Sequence, residues 1–290
     1  MKFTIVQTLQ AFKFPIFLIS CSETQKKYVL KLFPYENEAP HRAFMNESRF
    51  SFLNHPSIIS FKQVQNTQKT HYKKSLIYTS HIIMEYAPYG NFAKVAPIIS
   101  SLKDEKLVRT YFHQLIEAID YLHNEGVAHM DLKLDNLLLD ENFMLKIADF
   151  DTAFMKSDMG ILGAGTRNYR APEVKDLSCA DPFAADVYSA GVILFVLLTG
   201  CFPYLEDHKG EDGNLFELLK SESPLYWKAL AKFNIALSKD AKDLFLSMVH
   251  SDPVERATLN EVKSSKWFSG EVYSPKELKQ ILFLNRNNSF

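Results

Sequence analysis

Short apolar runs dominate the first 86 residues. Strand-like segments at 4–9, 14–20, 27–33, 58–65 and 76–86 surround one helix-like stretch near 41–53, the pattern of a small antiparallel sheet carrying one helix. The period then changes. From Asp104 to His123, the residues Val108, Phe112, Leu115, Ile119 and Leu122 recur at helical spacing, and Gly126 follows as a C-terminal stop. Further helices are predicted at 186–199, 214–220 and 238–250, while 127–185 is loop-rich with short strands at Leu137–Leu139 and Leu145–Ile147. Leu278, Ile281 and Leu282 predict a short amphipathic helix over 274–284, packed on the domain.

With 290 residues, 47% of them hydrophobic, the chain buries a large core near the length where one core divides into two packed lobes. The net charge is -1, and the 23% charged residues are dispersed, which argues against a dedicated nucleic-acid or membrane surface. The cluster Lys69, His71, Lys73 and Lys74 reads as a solvated hairpin tip. Cys21, Cys179 and Cys201 are too few and scattered for a disulfide framework, so a reduced, cytoplasmic protein is expected. The N-terminus ending in Leu18-Ile19-Ser20-Cys21 looks like a signal sequence, but Gln7, Gln10 and Lys13 interrupt it and two strands fit better. The run Ala190 to Leu198 is far below the ~20 residues of a membrane span and predicts a buried helix.

The segment His129-Met130-Asp131-Leu132-Lys133-Leu134-Asp135-Asn136 is followed, after a short strand, by Asp149-Phe150-Asp151. It holds a carboxylate to orient a hydroxyl, oxygen donors suited to magnesium, and a cation to set against phosphate charge. Those are the requirements of phosphoryl transfer. Downstream come Gly165-Thr166-Arg167-Asn168-Tyr169-Arg170-Ala171-Pro172-Glu173, then Asp186-Val187-Tyr188-Ser189-Ala190-Gly191, then Asp252-Pro253-Val254-Glu255-Arg256; Tyr28-Val29-Leu30-Lys31 lies upstream. Over about residues 1–270 these resemble, in order, the motifs of the eukaryotic-type protein kinase domain. An HxDxxxxN loop alone also occurs in small-molecule kinases; the Gly-Thr and Ala-Pro-Glu features belong with protein substrates.

The resemblance implies an α+β, two-lobed fold. Residues 1–85 would form an N-lobe of antiparallel sheet with one main helix, 86–270 a mainly helical C-lobe, and 271–290 a C-terminal tail. It implies a serine/threonine kinase that uses ATP and Mg2+ on protein substrates; Lys133 and Thr166 favour that type over tyrosine kinases. Asp131 would be the catalytic base, Lys133 a cation on the transferring phosphate, and Asn136 with Asp149 the magnesium ligands. Lys31 would contact the ATP phosphates and pair with a helix carboxylate, Glu47 ahead of Glu38. Met84-Glu85-Tyr86-Ala87 is similar to the hinge, where backbone groups of Glu85 and Ala87 would bind the adenine edge. Thr166 would bond near Asp131, Arg256 would pair with Glu173, and His129 and Phe150 read as packing residues. Asp135-Asn136-Leu137-Leu138-Leu139 and the compact 149–173 segment are similar to the calcium/calmodulin-dependent or SNF-like group, and Asp135 would favour a basic residue in the substrate.

Four features depart from the family pattern. The phosphate loop would be Leu9-Gln10-Ala11-Phe12-Lys13-Phe14-Pro15-Ile16-Phe17, without a glycine, which predicts weaker or differently shaped ATP binding. Asp151 replaces a glycine and adds charge beside Asp149, and Val29 narrows the adenine roof. Met130 replaces the arginine that normally pairs with a phosphorylated residue, so activity is expected not to depend on that switch; strong activation by a phosphomimetic at Ser157 would count against this. Two activities stay open: an active kinase, and a pseudokinase that binds or scaffolds.

Overall fold

The computed structural model describes residues 2–10, 14–35, 38–72, 75–158, 165–175, 181–204, 215–221, 224–232 and 235–289. The N-lobe is a five-stranded antiparallel sheet in the order β1-β2-β3-β5-β4, built from β1 (Phe3–Gln10), β2 (Ile16–Cys21), β3 (Lys27–Pro34), β4 (Phe61–Tyr72) and β5 (Ser75–Glu85). Its register sets Lys31 of β3 opposite Ile16 of β2 and Ile82 of β5. Helix α1 (Glu38–Ser48) covers the inner face. There Phe14, Phe33, Phe44, Ile59, Ile82 and Met84 form one apolar cluster, with Phe33 5.0 Å from Phe14 and 5.5 Å from Phe44 between ring centroids. Fully burying one such side chain contributes about 1.5–3 kcal/mol, so these aromatics bind α1 to the strand that carries Lys31.

Two N-lobe expectations need correction. The helix predicted over 41–53 ends at Ser48 and continues as a tighter 3-10 turn, Arg49–Phe52. The strand predicted over 58–65 begins only at Phe61 and runs to Tyr72. Ile58 and Ile59 instead reach the C-lobe, where the Ile59 amide donates to the Ile147 carbonyl at 2.9 Å and Ile58 bridges Ile147. Lys69 and His71, expected at a hairpin tip, stand inside β4 opposite Tyr78 and Leu76, because the hairpin is longer than its apolar residues suggest. Lys73 and Lys74 lie outside the described residues.

The C-lobe is mainly helical. Its helices are α2 (Phe92–Ser101), α3 (Glu105–Asn124), α4 (Pro172–Lys175), α5 (Pro182–Thr199), α6 (Leu215–Lys220), α7 (Leu225–Ala231), α8 (Lys239–Met248), α9 (Leu259–Ser264) and α10 (Pro275–Ser289). Four short strands accompany them: β6 (Val127–Ala128) pairs with β9 (Phe154–Met155), and β7 (Leu137–Leu139) with β8 (Leu145–Ile147). Asp104 caps α3 by accepting from the Leu107 amide at 3.0 Å. Helix α5 starts on the Asp181 carboxylate with Pro182 in its first turn, and it stops at Gly200, whose φ of +79° is the left-handed conformation of a helix end. It is long and apolar enough to cross a membrane by length and composition, yet 72% of it is buried inside the lobe. Leu278 and Leu282 of α10 are buried in the same core, as their spacing predicts.

Candidate active site

A cavity of about 410 Å³ opens between the two lobes. Its roof includes Leu9, Ile16, Val29 and Phe14, its back Met84 through Pro88, and its floor Asn136, Leu138 and Ala148. Lys31 enters from the middle of β3. Its ammonium lies 2.6 Å from Glu47 Oε2 on α1 and 2.7 Å from Asp149 Oδ1 on the loop after β8. Burial pulls the Lys31 pKa down, but the two carboxylates outweigh it and hold the ammonium above the usual lysine value. Burial pushes Glu47 up, the Lys31 charge only partly offsets it, and the carboxyl ends at about 7. Asp149 adopts a left-handed backbone, φ +68°, which aims its side chain toward Lys31.

The catalytic-loop residues form a second cluster on the floor. Asp131 Oδ2 lies 2.6 Å from Lys133 Nζ, and the Thr166 hydroxyl donates to Asp131 Oδ1 at 2.8 Å while accepting from Lys133 at 2.8 Å. Asn136 Nδ2 donates to the Asp131 carbonyl at 2.9 Å, which ties the two halves of the loop. The backbone of this loop hangs from α5: the buried Asp186 carboxylate accepts from the amides of His129 and Met130 at 2.7 and 2.9 Å. This grip fixes Met130 at φ +63°. Gly165 is required where it stands, since a Cβ there would come within 2.6 Å of the Met130 carbonyl. His129 is fully buried, its ring 5.0 Å from that of Phe150.

The segment after Asp149 is held from above by α1 and the turn that follows it. Asn46 Nδ2 donates to the Asp151 carbonyl at 2.7 Å and to the Ala153 carbonyl at 3.2 Å. Arg49 meets Asp158 with both ends of its fork, Nη1 to Oδ1 at 2.7 Å and Nη2 to Oδ2 at 2.6 Å, and Nη2 also donates to the Ala153 carbonyl at 3.2 Å. The bonds from Arg49 hold the Asp158 carboxyl below the usual aspartate value. Farther down, the buried Arg256 guanidinium pairs with Glu173 at 2.6 and 2.9 Å and donates to the carbonyls of Ala184 and His250.

The residues singled out in the sequence thus lie around one cavity. Lys31, Glu47, Glu85, Ala87, Asn136 and Asp149 line it directly, and Asp131 and Lys133 stand beside Asn136 at its floor. The carboxylate partners of Lys31 are Glu47 and Asp149; the side chain of Glu38, the other candidate, lies outside the described residues. Of the predicted phosphate loop, residues 11–13 lie outside the described residues. Its flanks are described: Leu9, Gln10 and Phe14 line the cavity, and Phe14 stands 5.6 Å from the Lys31 ammonium to its ring centroid. Asn46, Arg49 and Asp158 carry no motif signal, and only the folded arrangement brings them to the site.

Comparison with known proteins agrees with this geometry. Residues 16–268 match the protein kinase domain family. CBL-interacting protein kinase 31 of Oryza sativa subsp. japonica is 34% identical over 264 residues, which cover 88% of this chain and 54% of that protein. CBL-interacting serine/threonine-protein kinase 15 of Arabidopsis thaliana is 38% identical over 227 residues, covering 76% of this chain and 49% of that protein. The chain spans about half the length of the curated relatives it matches. A sheet-and-helix lobe over a helical lobe, a cavity between them and a match running through both leave one conclusion: the chain belongs to the protein kinase domain family.

Proposed function

We propose that this chain is an active serine/threonine protein kinase domain that moves the γ-phosphate of ATP onto serine or threonine hydroxyls of protein substrates. One observation carries the reading: the two charged clusters are already assembled, with Lys31 bridging Glu47 and Asp149 and Asp131 gripped by Lys133 and Thr166. In this reading the apolar end of the cavity, between Val29 and Leu138, takes the adenine. The Glu85 amide is engaged by the Ser60 carbonyl at 3.0 Å, so Glu85 offers its carbonyl and Ala87 its amide to the adenine edge. Lys31 meets the non-transferred phosphates and Lys133 the one that moves. The substrate hydroxyl oxygen bonds to the γ-phosphorus, the bond from that phosphorus to the bridging oxygen of ADP breaks, and Asp131 orients the hydroxyl and receives its proton.

Asn136 and Asp149 supply the hard oxygen donors that magnesium prefers, and the amide nitrogen of Asn136 is engaged by Asp131, leaving its Oδ1 for a cation. When bound there, magnesium neutralises phosphate charge. A second reading, a binding module with little catalysis, draws on the crowding of the phosphate end by Phe14 and Asp151, both on the cavity wall. The free thiols of Cys21 and Cys201 support a reducing, intracellular setting.

Transfer of labelled γ-phosphate from ATP to a generic protein substrate, with magnesium, separates the two readings. Wild type should transfer, and Asp131→Asn should lose roughly 10²- to 10⁴-fold of the rate. A folded wild type that transfers to none of several substrates, with several metals, would leave the binding-module reading.

A further inference from the structure

Five hydrogen bonds run from α1 and its following turn to the stretch 151–158, and they come from side chains flanking Glu47 on both sides. Asn46 holds the carbonyls of Asp151 and Ala153, and Arg49 holds Asp158 bidentately together with the Ala153 carbonyl. Asp158 is itself locked, because its Oδ2 accepts from the Met155 amide at 2.8 Å and its own amide donates to the Met155 carbonyl at 2.7 Å. The guanidinium carbon of Arg49 lies 4.8 Å from the Phe50 ring centroid, and Phe50 packs on Phe150, beside Asp149, at 5.8 Å. Glu47 and Asp149, the two partners of Lys31, are therefore each one residue from a group in this clasp.

We propose that Arg49 and Asp158 are positioning residues: a built-in ion pair that locks α1 onto the segment after Asp149 and keeps Glu47 and Asp149 on Lys31 without a phosphorylated residue. The proposal rests on the kinase reading of the cavity. Charge supports it. The catalytic loop carries Met130 where an arginine would be needed to read a phosphate, and Arg49 is already matched by a carboxylate belonging to the chain. The pair is 31% and 27% exposed, so its contribution to global stability is small, about 0–1 kcal/mol for an ordinary exposed pair. Its bidentate geometry with backbone bonds on both partners gives direction instead, and direction is what a phosphate-positioning cluster needs. A displacement of about 1 Å in such a cluster costs on the order of 10²-fold in rate.

The experiment combines steady-state phosphotransfer with hydrogen–deuterium exchange over the whole chain in wild type, Asp158→Asn, Arg49→Gln and the double variant. The expected result is a fall in kcat of roughly 10- to 100-fold in each single variant, no further fall in the double, faster exchange confined to 38–52 and 151–158, and a melting temperature within about 3 °C of wild type. Ser157→Glu should not activate. Additive losses, unchanged exchange with unchanged kcat, or strong activation by Ser157→Glu would overturn the proposal. Should Arg49→Gln fail to fold, the near-isosteric Asp158→Asn decides alone by kcat and exchange together. If wild type transfers no phosphate, the kinase reading has failed, and the exchange comparison still tells whether the pair holds α1.

Discussion

Glu47 shows how one carboxyl carries opposite demands. Its folded pKa of about 7 stands above the ordinary 4.5 because burial outweighs the Lys31 charge. A raised acid stabilises the fold while protonated, so its contribution is full below pH 4.5 and is lost as pH rises through about 7. The ion pair to Lys31, in contrast, needs the ionised form. We expect kcat/KM to rise with pH through about 7 while the Glu47 contribution to stability declines. A Glu47→Gln variant should be slow and should lack that acid limb; a limb unchanged in the variant would assign it to another group. At this scale the sequence was most informative where chemistry is contiguous: Asp131, Lys133 and Asn136 lie within six residues and have little packing reason to recur at that spacing. Arg49 and Asp158 are 109 residues apart, and no local pattern joins them.

Among the elements, periodicity located α3, β7 and β8 well, because each buries a regular face, and an unbroken apolar run located α5, which is buried on all sides from Ala185 to Leu197. Helix α2 was not predicted. Pro97 in its interior and Gly90 before it read as breakers, but Phe92, Val95, Ala96 and Ile99 bury one face and outweigh the amide that Pro97 lacks. Helices α7 and α9 were missed as well. For α9 the signal was present: Thr258 and Glu261 form a capping box, the Thr258 hydroxyl accepting from the Glu261 amide at 3.3 Å and the Glu261 carboxylate accepting from the Thr258 amide at 2.8 Å. Thr258→Ala should lower the melting temperature by roughly 2–4 °C without altering kcat, as read by calorimetry beside a transfer assay. A change in kcat would mean that α9 communicates with the site.

For the whole molecule, the two-lobed α+β architecture followed from the switch of strand-like to helical periodicity near residue 86 together with the resemblance. The stitching between lobes did not, since it depends on Ile58 and Ile59 leaving the strand predicted for them. Within the C-lobe, Arg256 binds three separate parts of the chain, with Glu173, Ala184 and His250 all accepting from it. Removing it leaves Glu173, 8% exposed, as a buried charge without that partner. Arg256→Ala should therefore destabilise by about 3–5 kcal/mol, measured by denaturant titration; a loss below about 1 kcal/mol would mean that water reaches Glu173.

Helix α5 is the beam from which the catalytic loop hangs, and it has eighteen residues of almost unbroken apolar character. Its shelter is the native lobe alone. Heat that opens the lobe releases a segment greasy enough to pass for a bilayer span, and such segments find each other faster than they find their way home. On heating, the protein should thus be governed by a rate: its apparent melting point should climb with scan rate, and a second heating of the same sample should give almost no transition. Full recovery of that second transition would show that the released helix stays solvated.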